Sequence, residues 1–328
     1  MIRINAKLDE NEVLVKAEVI YISEYIVVIG AANMDILGIS KNPLIKKDSN
    51  PGNISYCPGG VGRNIAENLA RLEAKVKFIG SVGNDVFGDA IISHCKEACI
   101  DTDSLYISEK GTTDSYIAII DSDRDMSVAV SDMSLLEEMP IEHLIENSAV
   151  INNAKIIVID ACLSKKHIEY ILTNFGSKKI FIDPVSIGKS KKIKNNIGRF
   201  FGLKCNKYEA EFLSDISIEN VKDCEKAADI LFNKGLKEIF ISLGENGVYY
   251  KNESGHGHFA TKPVTPVNTT GAGDSFMAGV VYSSFCEKSV YEAVRFASAM
   301  ALITLNSNDT VSKYVTYKDV IKELEKLI

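Results

Sequence analysis

Residues 25–32, YIVVIGAA, form an almost unbroken apolar run. A strand of that composition has no polar face for water, so it belongs inside a parallel sheet covered on both sides. Similar runs recur at 75–82 (KVKFIGSV), 155–160 (KIIVID), 178–183 (KKIFID) and 237–243 (KEIFISL). Between them apolar residues fall at helical spacing over 63–72, 85–98, 164–174, 219–233, 273–286 and 289–305. Strands alternating with helices specify βαβ units, which predicts a three-layered α/β fold around a parallel sheet.

Two segments break this rhythm. Residues 36–57 are rich in Pro, Ser, Asn and Lys, and 112–133 contain SYIAIIDSDRDMSVAVSD, a hairpin pattern with a polar turn. Together they can pair into a small separate sheet. In a doubly wound protein such an addition sits over the carboxyl ends of the strands, where ligands bind, so it reads either as a lid or as a solvent-exposed meander. Residues 1–24, with ValLeuVal at 13–15 and ValIleTyrIle at 19–22, read as an extension or an extra edge hairpin.

The chain has 328 residues, 46% hydrophobic and 25% charged, which sets aside disorder and coiled coil. A net charge of -7 argues against a general nucleic-acid or anionic-membrane surface, because those partners require clustered Lys and Arg. Seven scattered cysteines without a CxxC pair read as reduced thiols, and no basic-plus-apolar leader or long apolar span is present, so the cytoplasm is the expected compartment.

Chemistry concentrates in two glycine-rich strings. In NTTGAGDSFMAG (268–279), Gly271, Ala272 and Gly273 lead into a helix, leaving backbone N–H groups free at its N-terminus as an anion site. Asp274 stands in the first turn. Donors that neutralise a migrating phosphoryl group, beside a carboxylate that accepts an alcohol proton, suit phosphoryl transfer. The same N–H groups are expected to keep Asp274 ionised. In PGGVGRNIAENLARL (58–72), Gly59 and Gly60 would let a ligand hydroxyl approach the backbone, and Asn64 offers both a donor and an acceptor.

A dinucleotide fingerprint fails here, because Ile65 replaces the third glycine and no buried strand precedes the motif. The IGKS at 187–190 fails as a P-loop, since Asp183 occupies the place of its first glycine. In GAANMD (30–35), Asn33 and Asp35 are two apart and share a face of an extended chain, where a carboxylate can accept two vicinal hydroxyls or serve only as a turn cap.

At these residues the sequence resembles the ribokinase (PfkB) family, from about Tyr25 to the C-terminus. PGGVGRN resembles its sugar-side signature, and TTGAGDSF the signature that carries the anion hole and catalytic base. The resemblance implies a ribokinase-like α/β/α sandwich over 25–328, with a β lid formed by about 36–57 and 112–133 that often serves dimer contacts. It implies ATP and Mg2+ as cofactors and a ribosyl hydroxyl as acceptor.

Asn33 and Asp35 then look like the sugar-hydroxyl pair. Asn206 and Glu209 in CNKYEAE resemble the N-x-x-E element that organises magnesium through water, and Ser242, Gly244 and Gly247 in ISLGENGV resemble the nucleotide-facing turn. Within the family, GAANMDI, DSNPG, the Arg63–Asn64 pairing, SDM (131–133) and DPVSIGK (183–189) look like members that act on pseudouridine. Two departures, Asn268 in a place where many members have Asp and the NSNDTVSK stretch without a glycine-alanine turn, weigh against potassium activation.

Overall fold

The computed structural model describes residues 2–5, 18–21, 24–123, 125–261 and 264–327. Eight strands form one mixed sheet in the order Gly255–Phe259, Val248–Asn252, Glu238–Ser242, Gly202–Asn206, Lys179–Asp183, Ile156–Asp160, Ile26–Ile29, Val76–Ile79. From Val76–Ile79 to Glu238–Ser242 every pairing is parallel. The remaining two strands turn back antiparallel, a departure from the purely parallel expectation. A tight link causes it: Gly244 and Gly247 adopt φ 61 and φ 82, conformations glycine tolerates, and return the chain directly alongside its own strand.

Ile26–Ile29 illustrates how both faces are filled. Val27 and Ile29 enter one core and Ile26 and Val28 the other, all fully enclosed. The first core takes Ile168, Leu213 and Leu231 from the helices Lys165–Phe175, Lys207–Ser214 and Val221–Asn233. The second takes Ile65, Val280 and Val294 from Val61–Arg71, Ala272–Phe285 and Val290–Leu305. Each such aliphatic side chain contributes roughly 1.5–3 kcal/mol of burial, so truncating Ile29 to alanine would cost about 2–5 kcal/mol.

A second sheet of four strands has the order Met126–Asp132, Ser115–Ile120, Asn33–Ser40, Gly52–Gly59. Residues within 36–57 and 112–133 therefore meet in one sheet, and it begins earlier than the sequence reading placed it, at Asn33. Asn33 and Asp35 open its first strand rather than closing the core strand, which ends at Ile29. Register puts Cys57, Asp35, Tyr116 and Ser131 in one cross-strand row, and Tyr56, Ile36, Ile117 and Val130 in a row on the opposite face. On that opposite face Ile54, Tyr56, Val128 and Val130 are each more than half exposed.

Ile2–Asn5 and Glu18–Tyr21 pair antiparallel as a separate ribbon, and the ValLeuVal at 13–15 lies outside the described residues. Among the described residues no helix is long and apolar enough to cross a membrane.

Candidate active site

The helix Ala272–Phe285 starts at Gly271, whose φ of 81 and close approach to the Thr310 carbonyl exclude a side chain. Among the described residues no side chain caps this helix, and its first internal hydrogen bond runs from Ser275 N–H to the Gly271 carbonyl at 2.9 Å. The N–H groups of Ala272, Gly273 and Asp274 thus precede the helical ladder, as the sequence predicts, and can meet an anion.

Asp274 accepts a 2.7 Å hydrogen bond from the Asn64 amide, across 210 positions of sequence. This bond joins the two glycine-rich helix starts. Burial above all, and then the Asp183 carboxylate, push Asp274 up to about 7, against Lys204 and the Asn64 bond, which favour its charged form. The expectation that the helix end keeps Asp274 fully ionised is therefore corrected, because desolvation outweighs the dipole. A carboxyl near 7 is well matched to accepting and releasing a proton at neutral pH.

Asn64 is oriented from behind. Its Oδ1 accepts from the Arg63 guanidinium, so its NH2 faces Asp274. Arg63, buried, also donates to the Gly59 carbonyl at 3.0 Å and pairs with Glu67 at 2.6 Å. Its charge is occupied inside the protein, which leaves it unsuited to holding a substrate phosphate. Gly60, with φ 98, lies against the Ala31–Ala32 backbone, where an added Cβ would come within 2.6 Å of the Ala32 Cα. A Cβ on Gly59 would collide with the Asp35 carboxylate. The two glycines bring the helix start and Asp35 together.

Asp35 accepts from the Asn33 amide at 2.6 Å, and burial raises its pKa against that bond and the Arg63 charge. The raised pKa marks a carboxylate short of solvent, able to gain from hydroxyl donors.

Beside the start of Ala272–Phe285, a cavity of about 480 Å³ is lined by Ser242, Gly244, Gly247, Ala272 and Gly273 together with Lys204. The Ser298 hydroxyl, buried and without a partner among the described residues, belongs to the same lining. Asn206 and Glu209 do something the sequence reading missed. They form a capping box at the start of Lys207–Ser214, Asn206 Oδ1 accepting from Glu209 N–H at 2.9 Å and Glu209 Oε2 from Asn206 N–H at 2.8 Å. Burial raises the Glu209 pKa, with the Asn206 N–H opposing it.

Two carboxylates at strand ends, Asp160 and Asp183, and Lys204 within the strand Gly202–Asn206 were given no site role by the sequence reading. Asp160 accepts from Ala31 N–H and Cys162 N–H, both at 2.8 Å. Asp183 pairs with Lys204 at 3.0 Å. Burial opposes the Lys204 ammonium, yet Asp183, then Asp274 and Glu209, hold its pKa above the usual lysine value. The signal was a carboxylate closing each of two apolar runs, at the crevice where ligands bind in open α/β sheets.

Residues 23–316 match the sequence profile of the pfkB family carbohydrate kinases. The chain belongs to that family. It is a phosphotransferase with an alcohol group as acceptor, and its fold is the ribokinase-like sandwich. The pseudouridine kinase of Escherichia coli K12 is 35% identical over 92% of this chain and 97% of its own length. The guanosine-inosine kinase of Exiguobacterium acetylicum is 32% identical over 87% and 95%. A solved carbohydrate kinase from Agrobacterium tumefaciens superposes with a TM-score of 0.81 at 26% identity, covering 93% of this chain and 98% of that one.

For a kinase, the arrangement separates cleanly. Asn33 bonds Asp35 and Asn64 bonds Asp274, and none of these four lines the 480 Å³ cavity, which takes Ala272 and Gly273 from the same helix start. Among the described residues no three His, Cys, Asp or Glu side chains gather into a protein-only metal cage. Mg2+ instead keeps waters and phosphate oxygens and takes one or two carboxylates. Glu209, an enclosed carboxylate that feels the Lys204 charge, fits that outer role.

Proposed function

We propose that this kinase transfers the γ-phosphoryl group of Mg·ATP to the 5′-hydroxyl of pseudouridine, giving pseudouridine 5′-phosphate and ADP. The Asn64–Asp274 hydrogen bond carries the reading, since it sets the base of one glycine-rich motif against the sugar side of the other. The match to a pseudouridine kinase over nearly its whole length supports the choice of acceptor.

In this reading Asp35, held by Asn33, accepts ribose hydroxyls, and Gly59 and Gly60 let the sugar lie close to the backbone. Asp274 takes the 5′-hydroxyl proton. The free N–H groups of Ala272, Gly273 and Asp274, which follow Gly271, bind the migrating charge. Ser242, Gly244 and Gly247 face the nucleotide, with Asn206 fixing Glu209, which holds Mg2+ through its waters. Positioning and electrostatics supply most of the acceleration, because phosphoryl transfer asks little covalent chemistry of the protein.

The exposed apolar face of the small sheet supports a homodimer joined through the lid, since Ile54, Tyr56, Val128 and Val130 form a patch that a second copy would cover. No nucleic acid or membrane enters this function.

The test is ADP formation measured with pseudouridine, uridine, inosine, guanosine, adenosine and ribose in turn. Pseudouridine is expected to give the highest kcat/KM. A preference for guanosine or inosine would move the chain to the activity of its second relative, and a preference for ribose would make it a sugar kinase. No ADP from any of them would leave a binding protein that kept the fold.

A further inference from the structure

We propose that Lys204 is a catalytic residue of the phosphoryl transfer, its ammonium gripping the phosphoryl group from the nucleotide side. The proposal rests on the kinase reading above and adds a residue that lies in neither glycine-rich motif. Lys204 is 8% exposed and comes from the strand Gly202–Asn206. It lines the nucleotide cavity with Ala272 and Gly273. A Cβ placed on Gly273 would come within 2.7 Å of its Nζ, so the ammonium stands against the first turn of Ala272–Phe285.

That is the unfavourable end for a cation. Helix N-termini carry partial positive charge, and lysines are stabilised at C-termini instead. The protein nonetheless holds Nζ there firmly. Asp183 Oδ2 accepts from it at 3.0 Å, while Asp183 Oδ1 accepts from Val185 N–H at 2.8 Å. Val185 has a φ of 65, a strained conformation for a β-branched residue. A buried ion pair serving stability alone does no better than apolar residues of equal size. Here strained backbone, a carboxylate clamp and an uncapped helix end converge beside one cavity, and what such a convergence attracts is a group with several anionic oxygens.

In the transfer, the acceptor oxygen bonds to the γ-phosphorus as the bond from that phosphorus to the β,γ-bridging oxygen breaks. The hydroxyl proton passes to Asp274, and ADP leaves with the electron pair of the broken bond. Lys204 offsets charge on the moving phosphoryl oxygens and on the departing diphosphate, and keeps its own proton throughout.

Lys204→Met tests this, alongside Lys204→Met/Asp183→Asn, which also removes the carboxylate that the single change leaves buried and unpaired. Variants that give a cooperative thermal melt are titrated with Mg·ADP and Mg·AMP-PNP and assayed for ADP formation. The expected results are a fall in kcat of roughly 10²–10³-fold, AMP-PNP binding weakened by about tenfold or more, and ADP binding changed by less than about threefold. The proposal is overturned by a folded variant with kcat within about threefold of wild type. Equal weakening of ADP and AMP-PNP, or recovery of turnover in the double variant, also overturns it, making Lys204 a structural counter-ion. Absence of turnover by the wild-type chain would strike the proposed function instead, and the two titrations would still judge Lys204.

Discussion

Replacing Asn64 by alanine removes the amide that stands 2.7 Å from the Asp274 carboxylate. That bond favours the charged form of Asp274, so its loss raises the pKa and moves the acid limb of kcat/KM toward higher pH. Hydrogen bonds to charged groups are worth about 1.5–3 kcal/mol. With about 1.4 kcal/mol per pH unit and some replacement by water, the limb should move up by roughly 1–2 pH units.

Asp274 in the intact site titrates at about 7. About half of it is then ionised at neutral pH, against roughly 10% to 1% in the variant, a fall of about 5- to 50-fold at pH 7 that is largely recovered by about pH 9–10. The assay is chromatographic detection of ADP with pseudouridine as acceptor, from about pH 5.5 to about 10. A uniform loss at every pH, with the limb where it stands in the wild type, would refute tuning of the base and leave Asn64 with sugar binding alone.

Asp274→Asn should lower kcat by roughly 10²–10⁴-fold while nucleoside binding, followed by calorimetry, is largely retained; near wild-type turnover would remove its role as base. Asp35→Ala should raise KM for the nucleoside by roughly 10- to 100-fold, the loss of a charged acceptor for hydroxyl donors, and an unmoved KM together with an unmoved kcat would take Asp35 out of the sugar pocket. The wild type is expected to elute as a dimer by light scattering and a Tyr56→Lys/Val130→Lys variant as a monomer, since both side chains stand on the exposed apolar face; a monomeric wild type would remove the dimer, and a variant that still dimerises places the contact elsewhere. Exchanging Na+ for K+ should change kcat by less than about twofold, because the neutral Asn268 amide lacks the attraction of a carboxylate, and a larger rise would restore a cation site.

Why some elements were legible and others were not follows from individual residues. Ile156–Asp160 and Lys179–Asp183 carry apolar side chains toward both cores, so composition alone identifies them. Gly202–Asn206 is equally buried but contains Lys204, and a lysine inside an apolar run reads as surface unless its partner is known. The partner, Asp183, lies 21 positions away. Such conflict between local pattern and global fold is expected where function imposes a cost. The glycine motifs were readable because each is a long string, PGGVGRN and TTGAGDSF, whereas a bare glycine pair before a helix would read as an ordinary helix start. Their meeting through Asn64 and Asp274 was not, since no periodicity encodes a contact across 210 positions. Desolvation of Asp274 is likewise a product of assembly, set by Asp183 and the surrounding protein.

The attachment of the small sheet has a mechanical consequence. Ala31 is pinned by Asp160 at 2.8 Å and by Arg63 N–H at 3.0 Å, and Met34 N–H donates to the Asp114 carbonyl at 2.9 Å while the Asp114 carboxylate accepts from Leu135 N–H at 2.9 Å. A cantilever anchored so firmly at its base can flex only toward its free end. Bending of this sheet would then fall on the outer ends of its strands, near 40–52, while the Asp35 carboxylate beside the anchored end keeps its position.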